Sequence, residues 1–276
     1  MPEGDTIARA ARTLQRWLAG RAVTAARSTV PGLAAPTLVG DTVTAVEARG
    51  KHLLIRLGSG RVLHSHMRMT GSWHVYPSGQ AWRLPAWRAR VVLEAGPRTA
   101  VCFDAPVVEL LGAGVERVHP GLRQLGPDVL VEPFDVADLL RRAAGRPAAT
   151  TVGELLVDQR VVAGIGNIWR CEALFLGGLH PWRPLSSLEG AVVADVVARA
   201  AALMAAAVGP APVRAGPGAA DRLPAGQRWV YRRAGRPCRR CATLVRSARL
   251  GSSEVLVRTV YWCPSCQPDR WGGPPA

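Results

Sequence analysis

The first residues of the chain could supply a nucleophile. Position 2 is proline and position 3 is glutamate, and we expect Met1 to be trimmed because the residue after it is small. The chain would then open on a secondary amine. An α-amine titrates near pH ~7.7–8, against ~10.4 for lysine, so more of it is unprotonated at neutral pH. Such an amine condenses with an aldehyde to give a charged iminium. Met-Pro also begins many chains without catalytic meaning, so this pair alone does not decide the chemistry.

The cysteines indicate a metal site near the end of the chain. Four of the six form two C-x-x-C pairs separated by 21 residues: Cys238 with Cys241, and Cys263 with Cys266. Two thiolate pairs at this spacing predict a four-cysteine site for one structural Zn²⁺ per chain. Disulfides are the alternative, but C-x-x-C pairs seldom form structural bridges. Cys102 and Cys171 lie among apolar residues and are predicted to be buried.

The charge of the chain predicts a polyanionic partner. The chain has 35 Lys and Arg against 20 Asp and Glu, a net charge of +15. Nine arginines but a single acid lie between positions 228 and 258. Nucleic acid is the first candidate for such a partner, and an arginine-rich, GC-biased genome is the alternative. Lys51 is the only lysine and Asn167 the only asparagine. Each therefore indicates a position that needs an ammonium or an amide, unless it survives by chance.

Two further features suit phosphate binding. Gly164-Ile165-Gly166-Asn167 precedes a predicted helix, whose first N–H groups would point at an anion that the glycines allow to approach. A plain joint between helices is an equal alternative for this turn. Arg258 lies five residues before Cys263, so a zinc-locked hairpin would hold its guanidinium rigidly outward for bidentate phosphate contact.

In the first half of the chain, apolar and polar residues alternate over short segments. Asp5 or Thr6 is predicted to cap a helix that continues to Leu18. Six strands separated by Gly, Pro and Ser turns are predicted over residues 42–48, 52–57, 62–67, 72–76, 89–94 and 99–103. They indicate an antiparallel β-sandwich with the first helix packed against it.

Helical patterns dominate the remainder. Asp135 is predicted to cap a helix to Ala144, and capping boxes at Thr151 and Ser186 predict a short helix to position 159 and a long one to position 209. A helix over 168–176, a loop over 209–226 and strands over 229–232, 243–248 and 255–262 are also predicted. The long helix is apolar but carries Asp195 and Arg199, so we expect it to lie outside a membrane.

Five segments, in order along nearly the whole chain, resemble the motifs of one family. They are Pro2-Glu3-Gly4, RGKHLL at 49–54, LHSHMRMTG at 63–71, DQRVVAGIGNI at 158–168 and YWCPSCQ at 261–267. The family is that of formamidopyrimidine-DNA glycosylase and endonuclease VIII (Fpg/Nei), and the resemblance is to its endonuclease VIII-like branch of actinobacterial type. The only lysine and the only asparagine both fall inside these motifs.

The resemblance implies a multidomain α+β fold. An N-terminal catalytic β-sandwich domain is expected over residues 1–125, a helix–two-turn–helix DNA-binding domain with a mobile loop over 126–226, and a C-terminal β-hairpin zinc finger over 227–270. The partner implied is damaged double-stranded DNA, bound by a monomer. We expect a cytoplasmic, nucleoid-associated bacterial protein that does not bind a membrane.

The implied activity is that of a bifunctional DNA glycosylase/AP lyase in base excision repair. By the resemblance, Pro2 attacks C1′ and forms a Schiff base, Glu3 protonates the sugar ring oxygen, and Lys51 holds a phosphate or assists proton transfer. Successive β- and δ-eliminations then cut the strand. The remaining expected site residues contact DNA: Arg258 with Gly166 and Asn167 at the phosphates, and Met69 as an apolar wedge with Arg68 and Thr70 beside it. Core packing is the alternative for Met69.

Departures from the family pattern favour oxidised pyrimidines as substrates. Asp5-Thr6 stands where relatives often carry a second glutamate, and residues 104–109 lack the arginine and phenylalanine of the purine-acting branch. Two alternatives stay open: a purine-directed glycosylase of the same fold, acting on 8-oxoguanine or formamidopyrimidine, and a non-catalytic lesion-binding protein. His64 and His66 alternate along a strand and are expected to be structural rather than metal ligands.

Overall fold

The computed structural model describes residues 2–209, 227–251 and 257–268. The chain divides into two compact units, Met1–Gln124 and Leu125–Ala276. The further division of the second unit at position 226 stays a prediction. Most of the predicted loop over 209–226, and positions 255–256 of the last predicted strand, lie outside the described residues.

Helix α1 and two antiparallel sheets make up most of the first unit. Its elements are α1 (Gly4–Leu18), β1 (Ala25–Ser28), β2 (Val43–Arg49), β3 (His52–Leu57), β4 (Val62–His66), β5 (Ser72–Pro77), β6 (Ala89–Ala95), β7 (Arg98–Phe103), β8 (Val107–Leu111) and the short α2 (Pro120–Arg123). The sheet orders are β1-β6-β7-β5 and β2-β3-β4-β8.

One apolar core joins the two sheets and α1. Period-two alternation buries Leu53 and Ile55 of β3, and Val91 and Leu93 of β6, in the same cluster. On α1, buried apolar residues recur at helical spacing from Ile7 to Leu18, so one face of the helix packs on the sheets. The predicted sandwich with a flanking helix is confirmed.

Two strands were not predicted. β1 and β8 each lie at the edge of a sheet and have a neighbouring strand on one side only. β1 has the sequence AARS and buries none of its residues fully, while a polar residue, Glu109, interrupts the apolar run of β8. Neither strand therefore carries a strong alternation signal.

The second unit contains four described helices and a hairpin. They are α3 (Val136–Ala144), α4 (Val152–Leu155), α5 (Asn167–Leu176), α6 (Gly190–Val208), β9 (Arg246–Leu250) and β10 (Arg258–Trp262). Helix α5 packs against α6 on one side and against β10 on the other. It therefore links the helical core to the hairpin.

The predicted helix starts have mixed outcomes. The Asp135 carboxylate accepts from the Asp138 N–H at 2.8 Å, as predicted. The capping box at Thr151 is also confirmed, although α4 ends at Leu155. The capping box at Ser186 is wrong: that residue lies in a 3₁₀ turn, and the cap of α6 is Glu189, without a side-chain bond to the helix.

The predicted strand over 229–232 is wrong as well. This segment is a turn, because its backbone N–H groups are taken by a side chain of α5 rather than by a neighbouring strand. The next strand, β9, begins three residues later than predicted, at Arg246.

Helix α6 is long and apolar enough to span a membrane, judged by length and composition. One face of it, including Val196, Ala200 and Met204, is buried in the apolar core of the second unit. On another face Arg199 donates to Asp195 at 2.7 Å. The helix also packs against α3 and α5.

Candidate active site

The start of the chain places Pro2 and Glu3 at the head of α1. Glu3 is the N-cap residue in extended conformation, and its carbonyl accepts from the N–H groups of Thr6 at 2.9 Å and Ile7 at 3.1 Å. Its side chain is buried, while Pro2 is half-buried. The predicted caps are wrong: Asp5 and Thr6 lie inside the first turn, because the helix begins at Gly4. The helix thus starts directly behind the two expected catalytic residues.

Lys51 lies in a tight turn between β2 and β3. Arg49 and His52 are paired across the hairpin, so Gly50 and Lys51 form a two-residue loop. Gly50 has φ +58°, a left-handed conformation that glycine adopts without strain and that such loops need at their first position. Helix α1 packs on the two strands that this turn connects.

The histidines beside this turn are neutral at physiological pH. Burial, together with the neighbouring His66 and His64, lowers the pKa of His52 to about 2. Burial, then the charges of Arg68 and Lys51, lower the pKa of His66 to about 4. The positive charge here therefore comes from the lysine and the arginines.

The turn after β4 presents Met69 to solvent. Its side chain is 62% exposed, whereas Met67 is buried in the core, so core packing belongs to Met67. Arg68 has φ +47°, and the Thr70 hydroxyl donates to the Asp104 carbonyl at 3.0 Å. A Cβ on Gly71 would lie 2.8 Å from Met67 Cα. The turn is thus held at both ends, with its methionine outward.

A groove of about 390 Å³ opens beside α1 in the first unit. It is lined by residues of the helix and of the segment after β4, among them Thr6, Arg9, Met67, Gly71 and Trp73. Thr6 is one helical turn beyond Glu3. The groove therefore offers space for a small flat group within reach of the start of the helix.

In the second unit, the glycine-punctuated turn is organised by Gln159. The side-chain oxygen of Gln159 accepts from the Gly164 N–H at 3.0 Å, and its side-chain N–H₂ donates to the Ile165 carbonyl at 3.0 Å. Gly164 has φ +101°, where other residues would be strained. Gly166 is the N-cap of α5. This turn therefore fixes the position and direction of the first residues of α5.

Asn167 and Arg258 lie on neighbouring segments of the second unit. The Asn167 amide donates to the Thr259 carbonyl at 2.8 Å, and its oxygen accepts from the buried Arg170. Arg258 is exposed and donates to the Val257 carbonyl at 2.8 Å. The helix start and the hairpin arginine, expected at one phosphate site, are therefore adjacent. Asn167 itself is only 7% exposed.

The four cysteines of the C-x-x-C pairs cluster as expected. Their sulfurs are 4.0 Å apart for Cys238 and Cys266, 3.4 Å for Cys241 and Cys263, and 3.5 Å for Cys241 and Cys266. Tetrahedral zinc with Zn–S bonds of about 2.3 Å places neighbouring sulfurs ~3.8 Å apart. The N–H of Cys266 also points at the sulfur of Cys263, at 3.5 Å. The donor set fits zinc.

The thiols of this cluster differ in the direction of their pKa shifts. Hydrogen bonds from Thr243 lower the pKa of Cys241 to about 6, whereas burial raises the pKa of Cys263 and of Cys266. Four thiolates cannot gather without a compensating cation, and a divalent ion favours the ionised form of each.

Three polar side chains of this unit hold the site together and were not predicted. Gln159 organises the turn before α5. Glu172, on α5, accepts from three consecutive N–H groups, of which Trp229 is the nearest at 2.7 Å. Gln267 donates to the Leu179 carbonyl at 2.8 Å and accepts from the Cys263 N–H at 3.0 Å. Gln159 and Gln267 lie within the conspicuous motifs, but nothing in the sequence marks Glu172.

Two family models match the chain. The formamidopyrimidine-DNA glycosylase N-terminal domain matches residues 1–106, and the formamidopyrimidine-DNA glycosylase H2TH domain matches residues 125–212. The match to the first covers α1 and strands β1 to β7 of the N-terminal sandwich, and the match to the second covers helices α3 to α6.

Relatives cover almost the entire chain. It is 42% identical over 268 residues to probable endonuclease 8 2 of Streptomyces coelicolor, covering 97% of this chain and 94% of that protein. It is 37% identical over 278 residues to the DNA-(apurinic or apyrimidinic site) lyase Nei2 of Mycolicibacterium smegmatis, covering 97% and 99%. Among solved structures, Lactococcus lactis Fpg (MutM) in complex with DNA containing N7-benzyl-Fapy-dG has a TM-score of 0.77 at 21% identity, covering 97% and 100%. That likeness concerns the fold.

Proposed function

The chain belongs to the formamidopyrimidine-DNA glycosylase/endonuclease VIII family, and from that premise we propose that it is a bifunctional DNA glycosylase/AP lyase acting on oxidised bases, mainly pyrimidines, in double-stranded DNA. The observation that carries the proposal is the position of Pro2 and the buried Glu3 at the head of a helix that packs one face on the sheets. The positive end of the helix favours the neutral form of the Pro2 amine, which is the nucleophilic form.

The chemistry follows from a secondary amine at that position. The Pro2 nitrogen bonds to C1′ as the glycosidic bond breaks and the base departs. Glu3 donates a proton to the ring oxygen, the C1′–O4′ bond opens, and an iminium forms. The iminium acidifies the C2′ protons, so β-elimination breaks the C3′–O bond and δ-elimination then breaks the C5′–O bond. Water releases Pro2 and leaves a gap with phosphate at both ends.

The damaged nucleotide must leave the helix to reach Pro2. Met69, exposed on a turn fixed at both ends, is the apolar wedge that fills the vacancy, with Arg68 and Thr70 beside it. The groove lined by Thr6, Met67 and Gly71 receives the base. Thr6 stands there in place of a carboxylate, so the groove has no negative charge at that position, and Arg9 lies beside it.

The cations act on the backbone. Lys51, on its rigid two-residue turn, holds a phosphate or assists proton transfer at the opened sugar. Arg258 and the start of α5 at Gly166 and Asn167 clamp the phosphates around the lesion. The Asn167 amide must exchange the Thr259 carbonyl for a phosphate to make that contact directly. The four cysteines would hold one structural Zn²⁺ that fixes the hairpin carrying Arg258.

The lesion preference rests on the segment after β7. Purine-acting relatives are expected to supply an arginine and a phenylalanine there, but residues 104–109 contain neither, and Val107 and Val108 lie in β8, which pairs with β4. A purine-directed enzyme of the same fold is the second candidate. We also place the protein, as a monomer, in the bacterial cytoplasm, associated with the nucleoid.

Borohydride trapping on an abasic duplex tests the proposal. The mature protein, its trimmed terminus verified by mass spectrometry, should give a covalent adduct. A variant with an uncleaved N-terminal extension should bind the duplex but give none, because an amide nitrogen has no free electron pair. Strand scission at full rate by the extended protein would refute Pro2 as the nucleophile. Lys51 would then be the next candidate.

The same assay over a lesion panel tests the substrate class. Duplexes with an oxidised pyrimidine and with 8-oxoguanine should differ, with faster excision of the pyrimidine. Faster excision of the purine would overturn the branch assignment. Tight binding of lesions without any adduct would leave the lesion-binding protein as the better description.

A further inference from the structure

A second group of side chains that could bind a metal lies in the first unit. It is at the sheet β2-β3-β4-β8, in which the Lys51 turn joins β2 and β3. His64 of β4 and Glu109 of β8 are paired across the strands, and His119 precedes α2. Glu109 Oε2 is 2.9 Å from His64 Nδ1 and 3.1 Å from His119 Nε2. All three ligand atoms lie within 4.8 Å of one another.

These distances are close to what a small divalent ion requires. Bonds of about 2.0–2.2 Å to nitrogen and oxygen place adjacent ligand atoms ~3.3–3.6 Å apart in a tetrahedron. The two pairs that include Glu109, at 2.9 and 3.1 Å, must each open by about 0.2–0.7 Å. The two imidazole nitrogens, at most 4.8 Å apart, must approach each other by up to ~1.2–1.5 Å. Small side-chain rotations would turn the hydrogen-bonded group into three ligands.

The donor set narrows the choice of ion. Two imidazoles and one carboxylate suit first-row transition ions, whereas Mg²⁺ and Ca²⁺ prefer oxygen alone. We propose that His64, Glu109 and His119 form a second metal site, for one divalent transition-metal ion such as Zn²⁺, with the remaining coordination open to water. The site is distinct from the four cysteines, which lie in the other unit.

A metal ion can reach the site from solvent, and a hydrogen bond with His52 orients one of the ligands. The side chains of Glu109 and His119 are 44% and 18% exposed, and that of His64 is 1% exposed. An ion can thus enter past the glutamate and rest on His64. His64 Nε2 is 2.8 Å from His52 Nδ1, and a bond from the far nitrogen to a second residue is the usual support of a ligating histidine.

The protons can rearrange without leaving the group. In the metal-free state both imidazoles donate to the Glu109 carboxylate. On binding, the His64 proton resides on Nε2 and is donated to His52 Nδ1, and the proton that His52 carried on Nδ1 moves to its own Nε2. The His119 proton moves to Nδ1, a buried atom without a protein partner among the described residues, so no existing bond is broken there. The hydrogen-bonded and metal-bound states are thus two forms of one arrangement.

Metal titration of the full-length, zinc-loaded protein tests the site. With the cysteines occupied, Zn²⁺ followed by calorimetry, or Co²⁺ followed by visible absorption, should show one further equivalent. Its absorption should lack the sulfur-to-cobalt charge transfer of a cysteine site. Glu109→Gln keeps the shape and most hydrogen bonding but removes the anionic ligand, and His119→Ala removes a partly exposed ring. Each should weaken this equivalent by about 10–100-fold or more.

The matched control is His74→Ala, in β5 of the other sheet, which should leave the second equivalent unchanged. Circular dichroism identifies any variant that fails to fold. If His119→Ala does not fold, the metal affinity of Glu109→Gln tests the site on its own. Failure of the zinc-loaded wild-type protein to take up any further equivalent, up to millimolar metal, would overturn the proposal. So would a second equivalent that neither cluster variant weakens, because the cluster would then be only a hydrogen-bonded structural element.

Discussion

Replacing Glu172 by glutamine should loosen the segment that begins the zinc hairpin. The buried carboxylate accepts from the Trp229 N–H on one oxygen, at 2.7 Å, and from Val230 and Tyr231 on the other, at 3.1 and 2.9 Å. A glutamine keeps one accepting oxygen and turns the other into an N–H₂ donor. Even in its better orientation, one backbone N–H then faces a donor.

The magnitude follows from those three bonds. An N–H left without an acceptor costs about 1–3 kcal/mol, and loss of the charge weakens each of the other two by ~1 kcal/mol. Relief of a buried charge offsets part of this, since burial raises the pKa of Glu172 against the opposing effect of the three N–H groups. A net cost of about 2–3 kcal/mol for closing the segment remains.

Amide hydrogen exchange is the appropriate assay, because a protein of two units need not unfold in one step. At 1.4 kcal/mol per factor of ten, exchange over residues 229–231 should accelerate by ~30–150-fold. The control is Glu189→Gln, an exposed glutamate without a side-chain bond to the helix it precedes. Exchange that changes by less than about threefold would refute the view that this carboxylate holds the segment.

The other predictions concern both units. Gly71→Ala should cost about 1–3 kcal/mol, because its Cβ would press on backbone atoms 2.8 Å away; excision of a base should slow more than cleavage at a preformed abasic site, and equal slowing would argue against a wedge on this turn. Arg258→Ala should lower the slope of log K against log salt by ~0.9, and an unchanged slope would contradict the phosphate contact. Burial opposes ionisation of Asp41, but hydrogen bonds from Ser59 and Arg61 outweigh it and hold its pKa below the usual 3.8. Its stabilisation is therefore complete above pH ~4 and declines as the pH falls through the lowered pKa of the folded state: Asp41→Asn should cost about 1–2 kcal/mol at pH 7, and a thermal-stability gap that does not narrow as the pH falls below ~4 would refute this. Chelation of zinc should abolish DNA binding while the sandwich stays folded; intact affinity in the metal-free protein would contradict it.

Most of the first unit could be predicted from the sequence because its signals are local. Alternation along β3 and β6 identifies strands without knowledge of their partners, and the spacing of Ile7 to Leu18 identifies one buried helical face. Strands β1 and β8 were missed because β1 buries none of its residues fully and Glu109 interrupts the apolar run of β8. The cap of α1 was missed because a helix can begin on backbone geometry alone, as it does at Glu3.

The site residues divide in the same way. The C-x-x-C pairs cluster as their spacing predicts, since the chemistry of zinc needs few other residues. Glu172 was not visible as a structural residue because its partners lie at least 57 positions away along the chain. The group of His64, Glu109 and His119 was missed for a related reason: β8 brings in the glutamate, and that strand had not been predicted.

Within the second unit, the contacts indicate that the cysteine cluster and the start of α5 respond as one element. Gln267 ties Cys263 to the chain after α5, and Asn167 ties the first residue of α5 to the strand that leads into Cys263. Cys171 and Phe175 of the same helix share an apolar cluster with Cys238 and Cys263. Loss of zinc would loosen the cysteine cluster and would therefore weaken all of these contacts at once. The glycine turn that precedes α5 should therefore loosen with the hairpin, and the phosphate clamp should fail at both of its halves rather than at Arg258 alone.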